Sequence, residues 1–219
     1  VLPVVRDHCG VVLSAPAPVV TYTPDPLTCE GTVEYEYTYV DCAGLTFVWT
    51  YTYTIDRITP PSEDGGPVST GSTVECLAEA VAPVLPVVRD HCGVVLSAPA
   101  PVVTYTPDPL TCEGTVEYEY TYVDCSGLEF VWTYTYTIDR ITPPSEDGGP
   151  VPTGSTVECV TEAVAPVLPV VRDHCGVVLS APAPVVTYTP DPLTCEGTVE
   201  YEYTYVDCSG LEFVWTYTY

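Results

Sequence analysis

The string VLPVVRDHCGVVLSAPAPVVTYTPDPLTCEGTVEYEYTYVDC opens at Val1, again at Val84 and again at Val167, which sets a period of 83 residues. Self-similarity of this kind constrains the fold more than any other feature, because whatever structure one unit adopts its neighbours must adopt as well. Residues 1–83 and 84–166 differ at five positions, Ala43/Ser126, Thr46/Glu129, Ser69/Pro152, Leu77/Val160 and Ala78/Thr161, and residues 167–219 repeat 84–136 without a change. A unit of this length is a small domain rather than a solenoid turn, so the expected organisation is beads on a string. Near-identical neighbours can exchange strands and misassemble. Reach gained through copy number is the property that would outweigh that hazard.

The eleven cysteines fall on the repeat as four per unit: Cys9, Cys29, Cys42 and Cys76, then Cys92, Cys112, Cys125 and Cys159, then Cys175, Cys195 and Cys208. The odd count therefore reads as truncation rather than as a reactive thiol. Four cysteines in a small unit without a CxxC pair point to disulfides and an oxidising compartment, not to zinc. Strand length bears on the pairing. TVEYEYTYVD between Cys112 and Cys125 alternates without a breaker, and as a strand it spans on the order of 30 Å. Bridged cysteines need Cα atoms roughly 5.5 Å apart, so these two lie at opposite ends. Following successive passes of the chain puts Cys92 with Cys125 at one end and Cys76 with Cys112 at the other. The expected bridges are Cys76 with Cys112, Cys92 with Cys125, Cys159 with Cys195, Cys175 with Cys208 and Cys9 with Cys42. Cys29 is expected to be unpaired.

In TVEYEYTYVD, Val116, Tyr118, Tyr120 and Tyr122 share one face, while Glu117, Glu119 and Thr121 share the other, the pattern of a half-buried antiparallel strand. LEFVWTYTYTI likewise sets Leu128, Phe130, Trp132, Tyr134, Tyr136 and Ile138 against Glu129, Val131, Thr133, Thr135 and Thr137. The turn-rich DCSG joins the two, which predicts a hairpin from Thr115 to Ile138. Only LAEAVA around Ala80 could turn helically, and Pro83 stops it. The fold class expected is all-β: tandem, disulfide-stapled, small antiparallel β-sandwich domains of immunoglobulin-like style. The core is modest, and bridges contributing roughly 2–4 kcal/mol each would offset its size.

Prolines demote PAP (Pro99, Pro101), TPDP (Pro107, Pro109) and ITPPSEDGGPVPTGS to edges, bulges or loops. The last of these is the expected linker. The division is then a first domain, 1–58, lacking its N-terminal strand; a linker, 59–70; a complete domain, 71–141; a linker, 142–153; and a third domain, 154–219, truncated at its C-terminus. The Pro-rich VAPVLP segment is the alternative boundary.

Thirty acidic residues against five arginines give a net charge of −25. That balance excludes nucleic acid and anionic membrane as partners. No apolar run is long enough to span a bilayer. Spread one or two at a time along the chain, the carboxylates read as a solvated, self-repelling surface. A calcium site would draw on Asp90, Asp124, Glu146 or Asp147, though no EF-hand-like run supports one. The histidine of each DHCG (His8, His91, His174) adjoins a cysteine, but neighbours on an extended chain face opposite ways, so a Cys/His nucleophile is not expected and neither is an enzyme. A turn role suits it better, with Asp90 bonding local backbone amides. Thr133, Thr135 and Thr137 could form a flat array for ice or a polysaccharide, yet threonine is also simply a good strand former.

STVEC, DHCG, TCEGTVEYEYTYVDCSG and VWTYTYTI together resemble the HYR-like four-cysteine repeat of giant cell-surface adhesins of Bacteroidota, of the gliding-motility (SprB) type. The resemblance covers the whole unit. It implies a very long parent exported by type IX secretion and displayed as surface filaments. An extracellular, cell-surface location is expected, and no cofactor. The function expected is a stalk or filament segment of a surface adhesin, whose partners are neighbouring repeats and laterally associated chains. The alternative is that the repeats themselves bind a surface polysaccharide multivalently.

Overall fold

A computed structural model describes residues 1–219. The first repeat forms β1 (Val19–Thr23), β2 (Gly31–Val40) and β3 (Thr46–Ile55), followed by the short β4 (Ser62–Glu63). Then come β5 (Gly71–Val74), a 3-10 turn at Leu77–Glu79, β6 (Val88–Arg89), β7 (Val102–Thr106), β8 (Gly114–Val123), β9 (Glu129–Ile138) and β10 (Ser145–Asp147). A second 3-10 turn at Val160–Glu162 precedes β11 (Val170–Arg172), β12 (Val185–Thr189), β13 (Thr198–Val206) and β14 (Glu212–Thr218). The all-β class and the hairpin expected from alternation are both present, with β8 and β9 as its arms. Pro83 follows the only helical turn of its unit.

Each long hairpin gains an antiparallel edge strand from the PVVTYT segment, in the orders β1-β2-β3 and β12-β13-β14. The middle hairpin carries a fourth strand, giving β5-β9-β8-β7. That extra strand runs parallel to β9, pairing Gly71 with Thr135 and Val74 with Ile138. Its entry depends on glycine, since a Cβ at Gly71 would meet the Thr135 carbonyl oxygen at 2.8 Å. Glycine is needed again at Gly114, where φ is +150° and a Cβ would fall 2.2 Å from the Thr106 carbonyl oxygen. Gly114 thus lets the TPDP turn lie close against the start of β8.

The chain divides into two compact units. Unit 1 comprises Val1–Pro67, Leu85–Pro99 and Thr121–Trp132; unit 2 comprises Val68–Val84, Ala100–Tyr120 and Thr133–Tyr219. The division does not follow the 83-residue period, because each unit joins parts of successive repeats. In the Pro/Gly-rich segment 59–70, expected as linker, β4 pairs with β6, Ser62 opposite Arg89 and Glu63 opposite Val88. The corresponding segment of unit 2 holds β10, which pairs with β11.

Unit 2 contains two cores. In one, Ala80, Val116, Tyr136 and Ile138 are buried, with Val74, Val103 and Leu110 packed on them. In the other, Val171 of β11 packs on Tyr203, Tyr205 and Trp215 of the opposing hairpin, giving the sandwich its two layers. Tyr118 anchors the first of these by donating its hydroxyl to the Ala80 carbonyl at 2.7 Å.

Identical sequence is buried to different degrees in different repeats. Tyr53 and Ile55 are 52% and 39% exposed, whereas their equivalents Tyr136 and Ile138 are 8% and 1% exposed. The cause is β5 and the turn after it, which cover Tyr136 and Ile138 through Val74 and Ala80. Ile138→Ala is therefore expected to cost about 2–5 kcal/mol and Ile55→Ala under about 1 kcal/mol. Hydrogen exchange at the amides of β9 and β3, compared for the two variants, checks the difference.

Candidate functional site at the repeat junction

Two aspartate turns are the elements from which the site is built. In Asp90-His91-Cys92-Gly93, the Gly93 amide donates to the Asp90 carbonyl at 2.9 Å, and the Val94 amide donates to Asp90 Oδ1 at 2.8 Å. Asp124-Cys125-Ser126-Gly127 repeats the design: Asp124 Oδ1 accepts from the Ser126 amide, the Ser126 hydroxyl and the Leu128 amide. The local role expected of Asp90 is thus observed, and His91 is an exposed turn residue. Ser126 also explains one repeat difference, because Ala43 at the same place has no hydroxyl to give Asp41.

Each aspartate spends Oδ1 on its own turn and leaves Oδ2 for something else. Arg57, two residues past β3, extends Nη1 to Asp90 Oδ2. The arginine and aspartate side chains of this pair are only 14% and 4% exposed. Asp124 Oδ2 is buried without a hydrogen bond, and the nearby Arg57 charge acts on it. Unit 2 reproduces the arrangement, with Arg140 bonded to Asp173 at 8% and 4% exposure and its charge acting on Asp207. A second, half-exposed pair flanks each site: Arg89 with Asp64, and Arg172 with Asp147. Of the carboxylates considered for calcium, Asp90 and Asp124 therefore flank an arginine, Asp147 pairs with Arg172, and Glu146 lies in β10.

The cysteines beside these turns complete the site. Cys29 is bonded to Cys125, Cys76 to Cys175 and Cys112 to Cys208, with Cα atoms 5.8, 5.5 and 5.8 Å apart. Every bridge joins one repeat to another. Cys76 is positioned by Glu79, whose Oε2 accepts from the Glu75 and Cys76 amides at 3.1 and 2.9 Å. Glu75 in turn holds the start of the following segment, its carboxylate accepting from the Ile141 and Thr142 amides and the Thr142 hydroxyl.

These bonds correct the expected pairing. Cys76 does not bond Cys112, Cys92 does not bond Cys125, and Cys175 does not bond Cys208; Cys29, expected to be unpaired, is bridged. Cys9, Cys42, Cys92, Cys159 and Cys195 are free thiols. Cysteines expected at one end of a repeat do lie together: the Asp90 and Asp124 turns that carry Cys92 and Cys125 both lie beside Arg57, and Cys159 and Cys195 line one cleft. Strand length decides which end of a domain a cysteine occupies. It does not decide whether the cysteine bonds its companion at that end or one at the facing end of the next repeat, and the second arrangement is found. The observed spacings of 96 and 99 residues also account for the free thiols. A partner 99 residues before Cys9 or Cys92, 96 before Cys42, 99 after Cys159 or 96 after Cys195 would fall outside residues 1–219.

The threonine row does not form a flat open array in the second repeat. Thr133 and Thr135 are half-buried, Thr135 opposite Gly71 of β5, and only Thr137 is exposed. The Arg–Asp cluster is what composition and periodicity could not single out. Its one available signal was that each IDR arginine recurs at a fixed 33 residues before a DHCG aspartate.

Electrostatics sets how the junction responds to acid. Hydrogen bonds from Val94 and the Arg57 guanidinium hold Asp90 below the ordinary carboxylate range, against the opposing effect of burial. Burial pushes Asp124 and Asp207 up, but their serine and leucine hydrogen bonds and the neighbouring arginine outweigh it, so both are lowered. A lowered carboxylate contributes stability that is complete above the unfolded value, near pH ~4, and is lost as pH falls through the folded value. Thermal midpoints measured against pH are expected to stay level from about pH 7 to 5 and to fall below about pH 4. Arg140→Ala would strand Asp173 and Asp207, with an expected loss of roughly 3–5 kcal/mol, against about 0–1 kcal/mol for Arg172→Ala at the half-exposed pair. Calorimetry of the two variants checks that ordering.

Comparison with curated proteins found no match. A family model described as the HYR-like domain with 4 cysteines matches three times, at residues 1–55, 66–138 and 149–219. The three matches cover most of the chain, each takes in the long hairpin and the cysteines around it, and the chain belongs to the family of HYR-like domains with 4 cysteines.

Proposed function

We propose that this chain is a stalk segment of a repetitive extracellular adhesin at a cell surface, in which the repeats set the distance between an anchor and a distal contact. One observation carries the reading: the disulfides run from repeat to repeat, so the bonds that stabilise the protein also close its junctions. Formed bridges between small domains suit an oxidising, extracellular setting. HYR-like repeats support an adhesion-type role at that location. Attachment during gliding, with export by type IX secretion in a bacterium of the Bacteroidota, is the particular setting we favour on the motifs STVEC, DHCG and TCEGTVEYEYTYVDCSG. In this reading the partners are neighbouring repeats and laterally associated chains, and the chain performs no catalysis.

Sugar binding by the aromatic row is the competing idea. In the first repeat Tyr35, Tyr37, Trp49, Tyr51 and Tyr53 line an open cleft. In the second, the equivalent row is covered by its own β5 segment, Tyr136 being 8% exposed against 52% for Tyr53. A surface covered in that way is packing surface, and we assign the row to the core.

Repeat number separates the two ideas. A stalk is expected to keep attachment as repeats are removed from the parent until reach fails, and then to lose it abruptly. Multivalent binding declines with every copy removed. Counting attached cells across a deletion series reads this out, and a graded decline would count against the stalk.

A further inference from the structure

Bridges between repeats leave each repeat with little chain that tension can draw out. Cys125 receives a bond from Cys29 of the preceding repeat, and Cys112 sends one to Cys208 of the following repeat. Between Cys112 and Cys125 lie 13 residue steps, ten of whose residues are strand β8. A strand rises about 3.3 Å per residue, against a limit of about 3.3–3.6 Å for a fully extended chain. That stretch is therefore already near its greatest length while folded. A second connection of the same kind is started by Cys76 and Cys175. Within the second family match, residues 66–138, it runs from Cys76 through the Pro-rich VAPVLPVV to Cys92, which is a free thiol in this chain.

We propose that the chain bears tension through a covalent rail made of the β8-type strands and the disulfides that join them, so that its length under load does not depend on whether the domains remain folded. The proposal rests on the stalk reading and adds the means by which a stalk of small domains resists extension. From Val1 the shortest covalent route runs 28 steps to Cys29, crosses to Cys125, returns 13 steps to Cys112, crosses to Cys208 and reaches Tyr219 in 11. The remaining residues lie in closed loops outside the line of force. Core packing then serves to hold the rails in place and not to carry the load. The junction has the matching chemistry: Arg57 with Asp90 and Arg140 with Asp173 set the ends of successive repeats against each other where the bridges form.

Single-molecule pulling on the whole chain, held by tags at its two ends, tests this. With about 52 residue steps in the route, the oxidised protein is expected to reach a limit near 190 Å, and reductant is expected to release it to about 780 Å. Cys112→Ser should more than double the oxidised limit, because the shortest remaining route passes through Cys76 and Cys175 with about 119 steps, or roughly 430 Å. Bridges confined within repeats would instead leave about 113 steps, a limit near 410 Å, and Cys112→Ser would change it by only about 10 Å. That result would overturn the proposal, as would an oxidised chain that extends as far as the reduced one. Neither result bears on whether attachment depends on reach, so the stalk reading would still stand or fall by the deletion series.

Discussion

Disulfides that leave a repeat and close on another are the constraint on which the rest of this structure depends. A bridge within a domain shortens only that domain's unfolded chain. A bridge of 96 or 99 residues' separation closes a loop longer than the repeat itself, so no repeat can unfold fully without pulling on bonds to its neighbours. This explains how a unit with so small a core can serve. The buried residues are mainly one hairpin face of Tyr, Trp and Ile, and part of that face is covered only when the segment carrying β5 lies on it.

The buried Arg–Asp clusters follow from the same arrangement. A charged pair withdrawn from water is seldom a net source of stability, but it is demanding about geometry. Asp90 and Asp124 are oriented by hydrogen bonds within their own turns, and each leaves one oxygen beside the arginine. Such a cluster favours the correct register between successive repeats. The half-exposed pairs Arg89–Asp64 and Arg172–Asp147 lie on the short β4-β6 and β10-β11 ladders, where geometry is already set by the backbone.

Much of the fold was legible residue by residue. Alternation in TVEYEYTYVD and LEFVWTYTYTI placed Val116, Tyr122, Trp132 and Ile138 on the inner face, where all four are buried. Such a pattern is local, since it needs only the two-residue period of a strand and one apolar side. The end occupied by each cysteine was legible for a similar reason, being a matter of how far a strand reaches. The bonding partner was not. Cys92 and Cys125 share an end, and no property of either distinguishes bonding to each other from bonding to a cysteine of the repeat that faces them.

What the sequence determined by itself, then, was the repeated unit, its hairpin, its buried face and the distribution of its cysteines, because all of these depend on neighbours within a few residues or on the span of a single strand. Tertiary structure alone decided which repeat each bridge enters and that Arg57 and Arg140 fill the aspartate turns ahead of them. The physical reason is common to both. Each depends on which of several equivalent surfaces is brought alongside, and in a chain made of copies local sequence cannot tell one copy's surface from another's.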